Sequence, residues 1–160
     1  MIKKGLAIAV ILLFVGMCVV SSTAVTELRE KPSPISFDGI TLYVGGSGSN
    51  NYTVIQEAIN DAIDGDTVFV YDDSAPYYEN VIVDRSIDLI GEDRNTTIID
   101  GEIGDIIIKI ISDNVVVSGF TLTNGYMGIA IISDFCIISG NIIEYFFSYG
   151  IILEESNKCV

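Results

Sequence analysis

The chain has 160 residues, a length that suits one domain with a sizeable core. It contains no histidine, which excludes His-based triads, imidazole general bases and imidazole metal ligands. Its 8 basic and 22 acidic residues leave a formal charge of −14, which argues against nucleic acid as a partner and for a solvated acidic surface.

Residues 1–24 read as an export signal. Lys3 and Lys4 give the positive start, Leu6 to Val20 is a run of apolar or small residues, and Ser22-Thr23-Ala24 offers small residues for cleavage after Ala24. Loss of that segment removes only the two lysines and takes the charge to −16. The apolar run is short against the roughly 20 residues a spanning helix needs. The membrane therefore enters as a partner only through this segment, if it stays uncleaved. A lipid anchor on Cys18 is disfavoured because Met17 precedes it, where Gly or Ala is wanted. Residues 25–39, with Pro32 and Pro34, read as a spacer.

The folded domain is expected over residues 40–160. Ile40 to Gly46 has strand alternation, and Gly45 to Asn51 reads as a turn without the lysine of a phosphate-binding loop. A helix is expected over 53–64. Thr53 and Gln56 have capping-box spacing, Ile55, Ala58, Ile59, Ala62 and Ile63 form one apolar face, and Gly65 suits the C′ position. Short Ile- and Val-rich strands follow at 67–71, 80–84, 86–91, 96–100 and 105–110, with Asp, Asn, Gly and Ser at the turns.

The last third writes a pattern twice. Val115 to Leu122 aligns with Cys136 to Ile143 at an offset of 21, and Gly128 to Ser133 aligns with the stretch from Gly150 at an offset of 22. An earlier copy ends at Gly91, one longer period before Gly119. Units this short cannot bury an apolar face alone, so they must stack on one another. The expected fold is all-β: a right-handed parallel β-helix, with the helix as an amphipathic N-terminal cap over the first coil.

The succession TVIQEAINDAIDGDTVFVY, YYENVIVDRSIDLIGE, TTIIDG and NVVVSGFTLTN, followed by the GNII and GI-aliphatic repeats, resembles the pectate-lyase-like superfamily of right-handed parallel β-helices. Within it the chain is most similar to secreted surface proteins and NosD-like periplasmic proteins. The resemblance runs from Ile40 to Ser156. It implies the fold, and little about activity, because the superfamily holds lyases, hydrolases, epimerases, adhesins and inert scaffolds. Ser74 to Asn80 departs from the pattern, lacking a Gly before the tyrosine, and is expected to form a longer turn.

No catalytic set is recognised. Asp64, Asp66, Asp72, Asp73 and Glu79 cluster around the first coil, but the only basic residues within the coils are Arg85, Arg94 and Lys109, none in a catalytic motif. Hard carboxylate oxygens would suit calcium, which stays open as the one cofactor, although neither EF-hand spacing nor a Gly-Gly-x-Gly-x-Asp repeat is present. Copper is rejected, since the soft ligands beyond the signal are only Met127, Cys136 and Cys159. Cys136 occupies the ladder position of Val115 and reads as a core thiol. Its pairing with Cys159 stays open on sequence alone. Asn51 and Asn95 open glycosylation sequons. Tyr145, Phe147 and Tyr149 are the candidate ligand-facing aromatics, suited to stacking on sugar rings.

The chain stops at Val160 without a capping element, which leads us to expect a domain incomplete at that end and open to self-association through its last coil. The expected function is an exported scaffold, secreted or at the cell surface, that binds carbohydrate or surface polymers without catalysis. The alternative is the first part of a polysaccharide lyase or glycosidase whose catalytic coils follow residue 160.

Overall fold

The computed structural model describes residues 39–101 and 105–160. The expected export signal and almost all of the expected spacer lie outside them. The described residues form thirteen strands and one helix: β1 (Thr41–Val44), α1 (Ile55–Asp61), β2 (Thr67–Val70), β3 (Tyr77–Tyr78), β4 (Val81–Val83), β5 (Asp88–Gly91), β6 (Ile98–Asp100), β7 (Ile106–Ile110), β8 (Val116–Ser118), β9 (Thr121–Thr123), β10 (Met127–Ile131), β11 (Ile137–Ser139), β12 (Ile142–Ile143) and β13 (Ile151–Leu153).

Every strand pairs parallel to its equivalent one coil away. One sheet runs β1-β2-β5-β8-β11, a second β3-β6-β9-β12 and a third β4-β7-β10-β13. The chain is thus a three-sided parallel β-solenoid with a helix at its first coil, the class expected from the repeats. The internal alignment also holds position by position: Ser118 pairs with Ser139, and Ile129 pairs with Ile151.

The reason is visible in the inward ladders. Leu42, Val68, Leu89, Val117 and Ile138 stack in the first sheet. Tyr77, Ile99, Leu122 and Ile143 stack in the second. Val81, Ile108, Ile129 and Ile151 stack in the third. In the middle coils these side chains are fully buried, each CH₂ contributing about 0.8 kcal/mol. At the last described coil the ladders open to solvent, with Ile151 and Leu153 about half exposed. Where the first sheet turns into the second, Gly91 and Gly119 meet backbone to backbone, with Gly119 at φ +84°, and no Cβ fits at either position.

The helix is shorter than the expected 53–64, and its termini work differently. Its N-cap is Val54, with no side-chain bond from Thr53 or any neighbouring residue. Instead Glu79, between β3 and β4, accepts the backbone N–H groups of Ile55 (2.9 Å) and Gln56 (3.0 Å) with its two carboxylate oxygens. A carboxylate at a helix N-terminus satisfies orphan donors and opposes the helix dipole. The helix ends at Asp61, so Gly65 is not its C′ residue. The chain past Ala62 is held by buried Asp66, whose carboxylate accepts from Ile63 N–H and Ile40 N–H, both at 2.9 Å. Ile55, Ala58, Ile59 and Ala62 are buried as expected, but Ile63 is exposed because it lies beyond the helical register.

Gln56, assigned by sequence to a capping box, does something else. Its Oε1 accepts from Ile82 N–H at 2.7 Å and its Nε2 donates to Ile82 C=O at 3.1 Å. The carboxamide takes the place of a strand peptide along the free edge of β4. The segment Ser74 to Asn80 also differs from a simple turn, since Tyr77 and Tyr78 form β3 and start the second sheet.

Replacing Glu79 by alanine removes the helix cap at a distance and is expected to cost about 1–2 kcal/mol of stability. Urea unfolding of wild type and Glu79→Ala measures this. Equal midpoints would mean that the helix is held by its apolar face alone.

Candidate functional site

Strand alternation sends Leu42 and Val44 inward and Tyr43 outward from β1, and sends Val68 and Val70 inward and Phe69 outward from β2. Tyr71 continues the outward row just after β2. Parallel register sets Tyr43 opposite Phe69. The three rings form one outward-facing aromatic cluster. Tyr43 stacks on Tyr71 with centroids 5.9 Å apart and planes at 23°, and Phe69 meets Tyr43 and Tyr71 edge-on at 6.1 and 5.2 Å. These are the only aromatic ring pairs among the described residues.

Beside this cluster lies an open cleft of about 460 Å³, lined by Tyr43, Tyr71, Gly46, Ser47, Gly48, Asn51 and Asp73. The loop after β1 makes its wall. Gly45 and Gly46 both take positive φ, +75° and +71°, and a side chain on Gly46 would run into the Tyr71 ring. Asp73 Oδ1 accepts from Gly46 N–H (2.9 Å) and from the Ser74 hydroxyl (3.1 Å). Asn51 donates its amide to Gly45 C=O, and Tyr52 pairs with β1 through Tyr52 N–H to Tyr43 C=O at 2.8 Å. The cleft thus combines aromatic faces with hydroxyl, amide and carboxylate groups on a braced loop.

Tyr77 holds the backbone of Tyr71 in place from inside the coil. The Tyr77 ring is buried, and its hydroxyl donates to the Tyr71 carbonyl at 2.7 Å. Burial pushes the Tyr77 phenol up to about 12, helped by the negative charges of Asp73, Glu79 and Asp72 and opposed by the Ser74 hydroxyl.

The aromatics expected from sequence lie elsewhere. Tyr145, Phe147 and Tyr149 sit on the connection from β12 to β13, with exposures of 74, 69 and 57%. That connection is pinned to the coil below by Phe147 N–H to Gly125 C=O (3.2 Å) and Ser148 N–H to Tyr126 C=O (2.9 Å). The structure places them on a solvent-facing loop without ring-to-ring packing. Tyr43, Tyr71 and Asp73 were missed as a site. Their alternation was legible, but the register that sets Tyr43 beside Phe69 is long-range and crosses the helix.

The acidic cluster of the first coil is occupied with backbone and hydroxyl donors. Glu79 caps α1, Asp66 holds the turn after it, Asp64 accepts from Ser86 N–H (3.0 Å), and Asp72 accepts from the Thr96 hydroxyl (2.6 Å). Of the two sequon asparagines, Asn51 is half-buried in the cleft wall. Asn95 is exposed, with its amide donated to Asp93 Oδ1 at 2.8 Å, and Thr97 of the same sequon is buried. The two Asn95 donors, backbone and side chain, hold the Asp93 carboxyl below its ordinary range.

A comparison of the chain with protein-family models, curated proteins and solved structures finds no match.

Because the Tyr77 phenol is raised in the folded state, its contribution to stability is complete below pH 10 and is lost as pH rises through about 12. Tyr77→Phe should cost about 1–2 kcal/mol at pH 7 by leaving the Tyr71 carbonyl without its partner. Melting curves across pH 8–12 should show wild type losing stability over the upper part of that range faster than Tyr77→Phe. Parallel curves would show that the Tyr77 hydroxyl does not carry the contact.

Proposed function

We propose that this protein is an exported, non-catalytic scaffold that binds carbohydrate, and that the cleft between Tyr43, Tyr71, Asn51 and Asp73 holds the sugar. The observation that carries this reading is the pairing of a stacked tyrosine face with polar groups on one braced loop. A pyranose presents an apolar C–H face and a rim of hydroxyls. The first suits the negative face of an aromatic ring, and the second suits amide and carboxylate partners. Asp73 Oδ1 is already bound to Gly46 and Ser74, while Oδ2 has no hydrogen-bond partner among the described residues and can accept from a sugar hydroxyl.

The resemblance to the pectate-lyase-like superfamily, with its secreted surface and NosD-like members, supports a right-handed β-helix of that type. The export-like N-terminus supports placement outside the cytoplasm, secreted or at the cell surface. The acidic surface favours neutral glycans over polyuronates, because like charges repel within about 10 Å at ordinary salt. Calcium need not take part, since the carboxylate in the cleft can act directly on hydroxyls. Tyr145, Phe147 and Tyr149 form a second exposed surface that a long polymer could touch.

The chain contains no tryptophan, so its intrinsic emission reports tyrosine directly. A glycan array on the full chain should return neutral oligosaccharides, and titration of one of them should change the tyrosine emission. Tyr71→Ala should weaken binding at least tenfold, about 1.4 kcal/mol, while Tyr145→Ala leaves it unchanged. An array with no binder would refute the carbohydrate reading. Loss of binding in Tyr145→Ala alone would move the site to the β12–β13 connection.

A further inference from the structure

The turns that lead into β8 and β11 share one design, and the chain repeats it at Lys158. Asn114, Phe135 and Lys158 all take left-handed backbone, at φ +58°, +59° and +56°, and each is followed by an inward residue: Val115, Cys136 and Cys159. The last two turns are also in contact, with Lys158 Nζ 4.9 Å from the centre of the Phe135 ring. The backbone confirms the register. Val160 N–H donates to Cys136 C=O at 2.9 Å, and Val160 C=O accepts from Ile138 N–H at 2.7 Å. In a parallel ladder these two bonds set Val160 opposite Ile137, and therefore Cys159 opposite Cys136.

Both thiols are free and both face the core. Cys136 is fully buried, and Cys159 is half-buried against the same cluster. Cys136 N–H reaches Cys159 Sγ at 3.4 Å. Opposed positions on neighbouring strands lie about 4.8 Å apart, within the Cα separation of about 4.4–6.8 Å that a disulfide spans.

We propose that Cys136 and Cys159 are a cross-linking site, closed by an intramolecular disulfide that staples the last described coil to the one before it. A low-molecular-weight disulfide such as oxidised glutathione serves as oxidant. The partly exposed Cys159, as thiolate, attacks one oxidant sulfur and forms a mixed disulfide, and the first glutathione leaves and takes up a proton. Cys136, as thiolate, then attacks the Cys159 sulfur and displaces the second glutathione. Two protein thiols are oxidised, one disulfide is reduced, and the two thiol protons end on the two glutathiones. Burial raises the Cys136 thiol, with the Ser133 hydroxyl at 3.3 Å opposing the shift, so the second step speeds up as pH rises. The cross-link does not depend on carbohydrate binding.

The test is oxidation of the full chain with oxidised glutathione, acid quenching, denaturation and maleimide labelling, read by intact mass and peptide mapping. The expected product is a monomer with a Cys136–Cys159 peptide cross-link, about 2 Da lighter than the reduced chain. Cys159→Ser should show no such cross-link. In wild type, oxidation should increase amide-exchange protection over residues 137–153, and in Cys159→Ser it should not. The proposal fails if denatured wild type still carries maleimide on both residues, if a glutathione adduct persists on Cys159, or if either cysteine links instead to Cys18 or to a second chain.

Discussion

Everything in this molecule depends on the in-register stacking of one coil on the next. A parallel ladder bonds each backbone only to the coils on either side, so a very short strand is stable only as a rung. The same register sets like side chain on like side chain, and this is why the interior is written in Ile, Val and Leu. The geometry tolerates variation only at the corners. The path from Leu89 to Val117 is longer than the path from Val117 to Ile138, yet both coils stack in register, because most of the surplus lies outside the ladder, between β5 and β6.

That constraint also explains the polar residues. A solenoid turn leaves backbone donors unpaired, and this chain meets many of them with carboxylates from an adjacent coil. Asp113 accepts from Asp134 N–H (2.8 Å), and Asp134 accepts from Asn157 N–H (2.6 Å). Asp64, Asp66, Glu79 and Glu92 do the same near the first coils. Part of the strong negative charge is therefore structural, spent on backbone amides that the three-sided path exposes.

This division between ladder and corner decides what could be read from the sequence. The fold was legible because a repeated pattern can be found with the chain alone, and Ser118 on Ser139 follows directly from it. The helix was legible as an element, since its apolar spacing is local, but not its caps. Glu79 and Ile82 lie far downstream, and nothing local to Thr53 or Gln56 announces them. The Tyr43–Tyr71 cleft was hidden for the same reason. Tyr43 sits in a strand that was read from the sequence and Tyr71 directly follows another, and only the register across the helix makes them neighbours. Tyr145, Phe147 and Tyr149 stood out because they are close in sequence, a kind of nearness that a solenoid makes a poor guide to nearness in space.

The distant capping of the helix has a consequence for synthesis. The helix leaves the ribosome before the residues that complete it, because Glu79 and Ile82 are made after Gln56. A helix of seven residues is too short to hold in water by itself. It therefore waits, unformed, until the first coil has been laid down beneath it. The element at the start of the domain is not its seed.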